Sequence, residues 1–384
     1  MSQEAFDALT VEQLRDSGAL KWNAFPDCIG AFVAEMDFGT APEVMAAVRE
    51  ALDRGQIGYL GDALVTDLAK ACSDWHRDRY GWAPDPSWIQ PLPDVLTGLE
   101  LALHHLLPQG VKVALPTPNY MPFLPLLHML GHEVVQVPMR QTAGSWEFDF
   151  NALEAAFADG AGLLILCNPH NPLGRVFTRD ELEQLSAIAG RHGVRVFSDE
   201  IHAPLVFAPH RHIPYASISE AAAEQAITAT SASKGWNLAG LKCAQLILSN
   251  PEDLAAWRRM HPLAGHATAT LGVIANTAAY RHGGAWLESV IEYLDGNRQL
   301  LATTLAADMP GIGYTAPEGT YLAWLDCRPL ALEGPARRLF QRAGVALTDG
   351  ADCGEAGTGF VRFNFALPRP ILREALARMA RAIA

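Results

Sequence analysis

The chain has 384 residues, 49% of them apolar and 18% charged, which fits a folded globular chain and not a disordered one. Its 29 basic and 42 acidic residues leave a net charge of −13, which argues against nucleic-acid binding and against attraction to anionic membranes. No apolar run approaches the roughly 20 residues needed to span a bilayer, and the acidic, polar stretch Met1 to Leu20 does not read as a secretory signal.

At this length more than one domain is expected. The cysteines (Cys28, Cys72, Cys167, Cys243, Cys327, Cys353) are scattered without a C-x-x-C pair. They read as reduced packing residues of a cytoplasmic protein, and no metal site is expected.

Residues 1 to about 40 are mixed, with Trp22, Phe25 and Phe32 as anchors onto a larger body. Thr40-Ala41-Pro42 opens an amphipathic helix that runs to Leu52. Gly55 to Gly61 is a glycine-rich loop carrying Tyr59. Thr97 to Leu107 reads as helix and Lys112 to Leu115 as strand. Asn119 to Leu130 reads as helix after Pro118, with Pro122 and Pro125 working against it. Strands follow at Glu133 to Val137, Gly162 to Cys167, Val194 to Ser198, Ile227 to Thr230 and Gln245 to Leu248. A helix from Arg179 to His192 falls among them. Short apolar strands separated by helical segments imply an α/β chain with a mostly parallel sheet and helices on both faces.

Beyond Trp286 the texture changes. A long helix, Trp286 to Ala307, leads into alternating strands at Tyr321 to Cys327 and Gly359 to Phe365. Ile371 to Ile383 closes as an amphipathic helix. The expected division is a large domain at 41–285, a smaller α+β domain at 286–384, and an N-terminal segment, 1–40, that joins the small domain.

In such sheets ligands bind at the carboxyl ends of the strands. Four strand ends carry unusual residues. They are Pro116-Thr117-Pro118-Asn119-Tyr120, Asn168-Pro169-His170-Asn171-Pro172, Asp199-Glu200-Ile201-His202, and Ser231-Ala232-Ser233-Lys234. Taken singly, each reads as structural: a turn, a helix cap with a surface acid pair, a solvated lysine. Together they place an acid, a lysine, an amide, an imidazole and an aromatic ring on one rim. A lysine at a strand end, framed by hydroxyls that can donate to phosphate oxygens, suits Schiff-base chemistry with pyridoxal phosphate.

In these stretches the chain resembles the fold-type I pyridoxal-phosphate enzymes, the aspartate aminotransferase superfamily. It is most similar to the MalY/PatB-type cystathionine β-lyases. The resemblance extends to Val33-Ala34-Glu35-Met36-Asp37-Phe38, Asn237-Leu238-Ala239-Gly240, Thr320-Tyr321-Leu322-Ala323-Trp324-Leu325-Asp326 and Gly359-Phe360-Val361-Arg362-Phe363-Asn364. These blocks occur in order over nearly the whole chain. Two departures bear on phosphate contacts and substrate. Ala232-Ser233-Lys234-Gly235-Trp236 stands where the family usually has Pro-Ser-Lys-Thr-Phe, and Pro93-Asp94 where it usually has Pro-Gly.

The resemblance implies a role for each matching residue. Lys234 is the Schiff-base lysine and the catalytic base. Asp199 pairs with the pyridine nitrogen, and Asn171 and His202 with the phenolic oxygen. Tyr120 stacks on the ring. Ser231, Ser233 and Lys242, with the backbone N–H groups of Val95 and Leu96, hold the phosphate. Tyr59 reaches that phosphate from the second subunit of a homodimer. Arg362 clamps the substrate α-carboxylate, and Asn171 and Tyr120 also face the substrate. The implied reaction is β-elimination on a cysteine S-conjugate such as L-cystathionine, giving pyruvate, ammonia and a thiol. An aminotransferase using the same residues is the alternative. A regulatory protein that binds the cofactor is a second.

Overall fold

The computed structural model describes residues 3–142, 144–260 and 266–384. Seven strands form the larger sheet: β1 (Ile89–Leu92), β2 (Lys112–Thr117), β3 (Val134–Pro138), β4 (Ala161–Cys167), β5 (Arg195–Asp199), β6 (Ala226–Thr230) and β7 (Ala244–Ile247). Their order is β1-β7-β6-β5-β4-β2-β3. From β6 to β3 every pairing is parallel, while β7 runs antiparallel to both of its neighbours.

Side chains alternate between the two faces of the sheet. Leu163, Ile165, Phe197 and Ile227 join one apolar cluster with Leu99 and Leu103 of the helix Val95–His105. Leu164, Leu166 and Val196 join another with Leu182, Leu185 and Ile188 of the helix Arg179–Arg191. Burial on both faces explains why the central strands are continuous apolar runs. The second of these helices starts at a capping box. Thr178 Oγ1 accepts from the Glu181 N–H at 3.2 Å, and the Glu181 carboxylate accepts from the Thr178 N–H at 2.8 Å.

A second, antiparallel sheet contains β8 (Gly313–Tyr314), β9 (Leu322–Asp326), β10 (Thr348–Asp349) and β11 (Phe360–Asn364), in the order β8-β9-β11-β10. The helix Arg369–Ile383 buries Ile371, Leu372, Ala375, Leu376 and Met379, one stripe at helical spacing, in the same cluster as Leu294 and Leu301 of the long helix Gly284–Asp308. The N-terminal segment pairs Ile29–Gly30 in parallel with Val345–Ala346.

The helix expected over Asn119 to Leu130 is shorter, spanning Phe123–Met129 with Pro122 at its N-cap. Asn119 folds the preceding residues into a turn. Its amide donates to the Pro116 carbonyl at 2.8 Å and accepts from the Tyr120 N–H at 2.7 Å. Described cysteines are all buried and unpaired.

Candidate active site

Strands β2, β4, β5 and β6 run in the same direction, so their carboxyl ends lie on one edge of the sheet. Tyr120 follows β2, Asn171 follows β4, Asp199 ends β5, and Ser231 to Lys234 follow β6. From the other sheet, β11 contributes Arg362. Tyr120, Asn171, Asp199, Ser231, Ser233, Lys234 and Arg362 all line one cavity of about 500 Å³.

Asp199 is buried, and burial lifts its carboxyl to about 7. The Ile201 N–H donates to its Oδ1 at 3.1 Å. Read singly, Asp199-Glu200 suggests a surface acid pair, and the fold buries both instead. Glu200 is buried as well, accepting from the Ser198 hydroxyl at 2.8 Å and the Tyr215 N–H at 2.9 Å, with His212 Nε2 2.9 Å away.

The Lys234 amine points into the cavity and donates to the Ala34 carbonyl at 2.8 Å. Burial, helped by the charge of Arg362, lowers its pKa to about 8. His202 is buried beside these two cations, and burial first, then their charges, hold it well below the usual imidazole range. It is therefore neutral near pH 7. Burial pushes the Tyr120 phenol up to about 12, with the Asp199 charge adding to the effect.

Arg362 is 2% exposed. Its Nη1 donates to Asn171 Oδ1 at 3.0 Å, and its Nη2 to the Phe32 carbonyl at 2.7 Å and to Thr348 Oγ1 at 3.3 Å. Its Nε and the Nδ1 of His202 are buried without hydrogen-bond partners. Orphaned polar atoms of this kind are costly, and both belong to residues lining the cavity.

At the opposite end, Ser231 Oγ donates to the Cys243 carbonyl at 2.7 Å and accepts from the Ser233 N–H at 2.9 Å. To donate to an anion it would have to rotate. Lys242 is exposed and pairs with Asp94. Asp94 caps the helix whose first residues, Val95 and Leu96, line the same cavity, and the N–H groups of a helix's first turn have no partner within the helix.

A family model, aminotransferase class I and II, matches residues 27–379. The chain belongs to that family. It is 40% identical over 372 residues to a cystathionine beta-lyase of Corynebacterium glutamicum, covering 96% of this chain and 98% of that protein. It is 32% identical to the cystathionine beta-lyase PatB of Bacillus subtilis, over 97% and 98% of the two chains. The structure of a PLP-bound C-S lyase from Staphylococcus hominis superposes with a TM-score of 0.90 at 29% identity, covering 99% of this chain and 98% of that one.

The family's resident group is pyridoxal 5'-phosphate, and the residues present fit it. A buried carboxyl awaits a cationic partner, an amine of lowered pKa lies in the same chamber, and a helix start and Lys242 stand at one end. Tyr59 lies apart. It is 90% exposed, 5.5 Å from the His266 ring, in a surface hollow of about 750 Å³. Lys242 lines both hollows.

Sequence reasoning missed what residues 32–35 do, because they act through backbone carbonyls. The Ala34 carbonyl accepts from Tyr321 Oη at 2.8 Å as well as from Lys234, and the Phe32 carbonyl holds Arg362. Lys21 anchors this stretch, pairing with Asp37 at 3.0 Å and donating to the Glu35 carbonyl at 3.1 Å. The signal available was the Val33 to Phe38 block, read as a resemblance without a role.

Proposed function

We propose that the protein is a pyridoxal-phosphate-dependent carbon–sulfur lyase. It eliminates the thiol from L-cystathionine or a similar cysteine S-conjugate and yields pyruvate and ammonia. One observation carries this reading: the Lys234 amine and the Arg362 guanidinium share one cavity, in a chain 40% identical end to end with a cystathionine beta-lyase.

The bound cofactor supplies the aldehyde that takes the substrate amine and the electron-withdrawing ring that acidifies Cα. Arg362 offers its fork to the α-carboxylate and, held by Asn171, Phe32 and Thr348, fixes where Cα sits. Lys234, with a pKa of about 8, can exchange a proton near neutral pH and is the group that takes the Cα proton. Asp199 provides fixed negative charge against the ring nitrogen. Neutral His202 contributes hydrogen bonding and no charge. The Cβ–S bond then breaks with its electron pair leaving on sulfur, and water completes the conversion to pyruvate and ammonia.

The test uses L-cystathionine alone, with no keto acid. Pyruvate, ammonia and thiol should appear in equal amounts over many turnovers. An aminotransferase would stop after about one turnover per site and resume only with a keto-acid acceptor.

The working unit in this reading is a homodimer. Exposed Tyr59 and Ile57, 90% and 72% accessible, support it, as does the hollow that continues from them to Lys242. The two sheets support a division near residue 285, and the buried free cysteines support a reducing, cytoplasmic location.

A further inference from the structure

The end of the cavity beyond Arg362 carries charges that no step above uses. Thr348 pairs with Arg362 across β10 and β11, and the next residue, Asp349, lines the cavity with Arg337 of the helix Ala336–Arg342. Arg337 Nε lies 3.5 Å from Asp349 Oδ2, too far for a good hydrogen bond, and it is buried with no hydrogen-bond partner. Asp349 Oδ1 is occupied, accepting from the Ala351 N–H at 3.2 Å. Asp352 lines the same wall, is exposed, and forms no ion pair among the described residues. Apolar surface adjoins these charges: Phe25 and Phe32 meet edge-on with centroids 5.1 Å apart, and both line the cavity.

We propose that Arg337, Asp349 and Asp352 read the distal end of the substrate, and that the sulfur-linked tail they accept carries both a carboxylate and an ammonium. A ligand carboxylate would satisfy the Arg337 N–H that Asp349 reaches poorly. With Arg337 so engaged, the two aspartates would present unbalanced negative charge, which suits an ammonium and repels a tail that is only anionic. The phenyl rings suit the sulfur and methylenes between the two heads. A second amino-acid head group has this chemistry; a plain alkyl tail does not. The inference rests on the lyase reading for the bond that is broken.

The test compares L-cystathionine with S-ethyl-L-cysteine, which has the same reacting head and a neutral tail. In Arg337→Gln and Asp352→Asn, KM for L-cystathionine should rise about tenfold while S-ethyl-L-cysteine is unaffected. Turnover of S-ethyl-L-cysteine also reports that each variant is folded, and Asp352 is exposed, so its substitution leaves the core intact. Equal changes for both amino acids, or none, overturn the proposal. Calorimetric binding of both to cofactor-loaded Lys234→Ala protein, in which turnover is blocked, reads the same difference without elimination. If no thiol is released but that difference holds, the lyase reading fails and the tail site stands. Thiol released from both with no difference gives the reverse.

Discussion

Lys242 Nζ and Asp94 Oδ2 meet at 2.7 Å, at the end of the cavity we propose for the cofactor phosphate. Asp94 is also the N-cap of the helix Val95–His105, its Oδ1 accepting from the Thr97 N–H at 2.8 Å. Burial pushes its carboxyl up, but the hydrogen bonds from Lys242 and Thr97 outweigh that and leave it lowered. In that proposed placement an ionised acid would stand beside the incoming phosphate and occupy the cation proposed for it.

Asp94→Asn should tighten cofactor binding. Asparagine caps a helix as well as aspartate does, so the helix start survives. The substitution removes a like charge and frees Lys242, a gain of about 0.5–1 kcal/mol for a partly exposed pair. Fluorescence titration of the cofactor-stripped protein measures it. Weaker binding in the variant would instead make Asp94 the group that holds Lys242 in place.

The sheet was legible because its central strands are buried on both faces, so runs such as Gly162 to Cys167 stand out without any periodicity argument. The edge was not. β1 contains Pro91, which counts against a strand, yet β1 has β7 on one side only, and an edge tolerates a missing N–H. Candidate residues at strand ends were legible from residue type. Phe32 and Ala34 were not, since a carbonyl has no identity in a sequence. Arg337 and Asp349 come together only when β10 lies beside the helix Ala336–Arg342, which no local pattern announces.

Asp199 makes the stability of the cofactor-free protein sensitive to pH. Its pKa is raised from 3.8 to about 7 by burial. Between those values the folded chain binds more protons than the unfolded one, so this contribution to stability falls as pH rises. Above pH 7 the ionised group costs the cofactor-free fold on the order of 4 kcal/mol. Lys234, lowered from 10.5 to about 8, acts in a separate window, where stability rises with pH. Cofactor-free Asp199→Asn should thus resist urea better than the parent at pH 8, and the gap should close by pH 4. With cofactor bound, the variant should lose the advantage. An equal midpoint for both cofactor-free proteins at pH 8 would show that ionised Asp199 is not a burden.

Tyr59 is 90% exposed and outside the cavity lined by Lys234, so within one chain it has no part in the site. Its hollow nevertheless reaches Lys242, which belongs to both. If a second subunit covers that hollow, its own Tyr59 can approach the phosphate end of the first. Complementation tests this. Tyr59→Ala and Lys234→Ala should each be impaired alone. In a mixed dimer, the site with an intact Lys234 receives its Tyr59 from the other chain and is whole, while the second site carries both defects. Mixing under conditions shown to exchange subunits should restore activity to about half the parental value per mixed dimer, by simple counting of sites. No recovery despite exchange would return Tyr59 to the role of an ordinary loop aromatic.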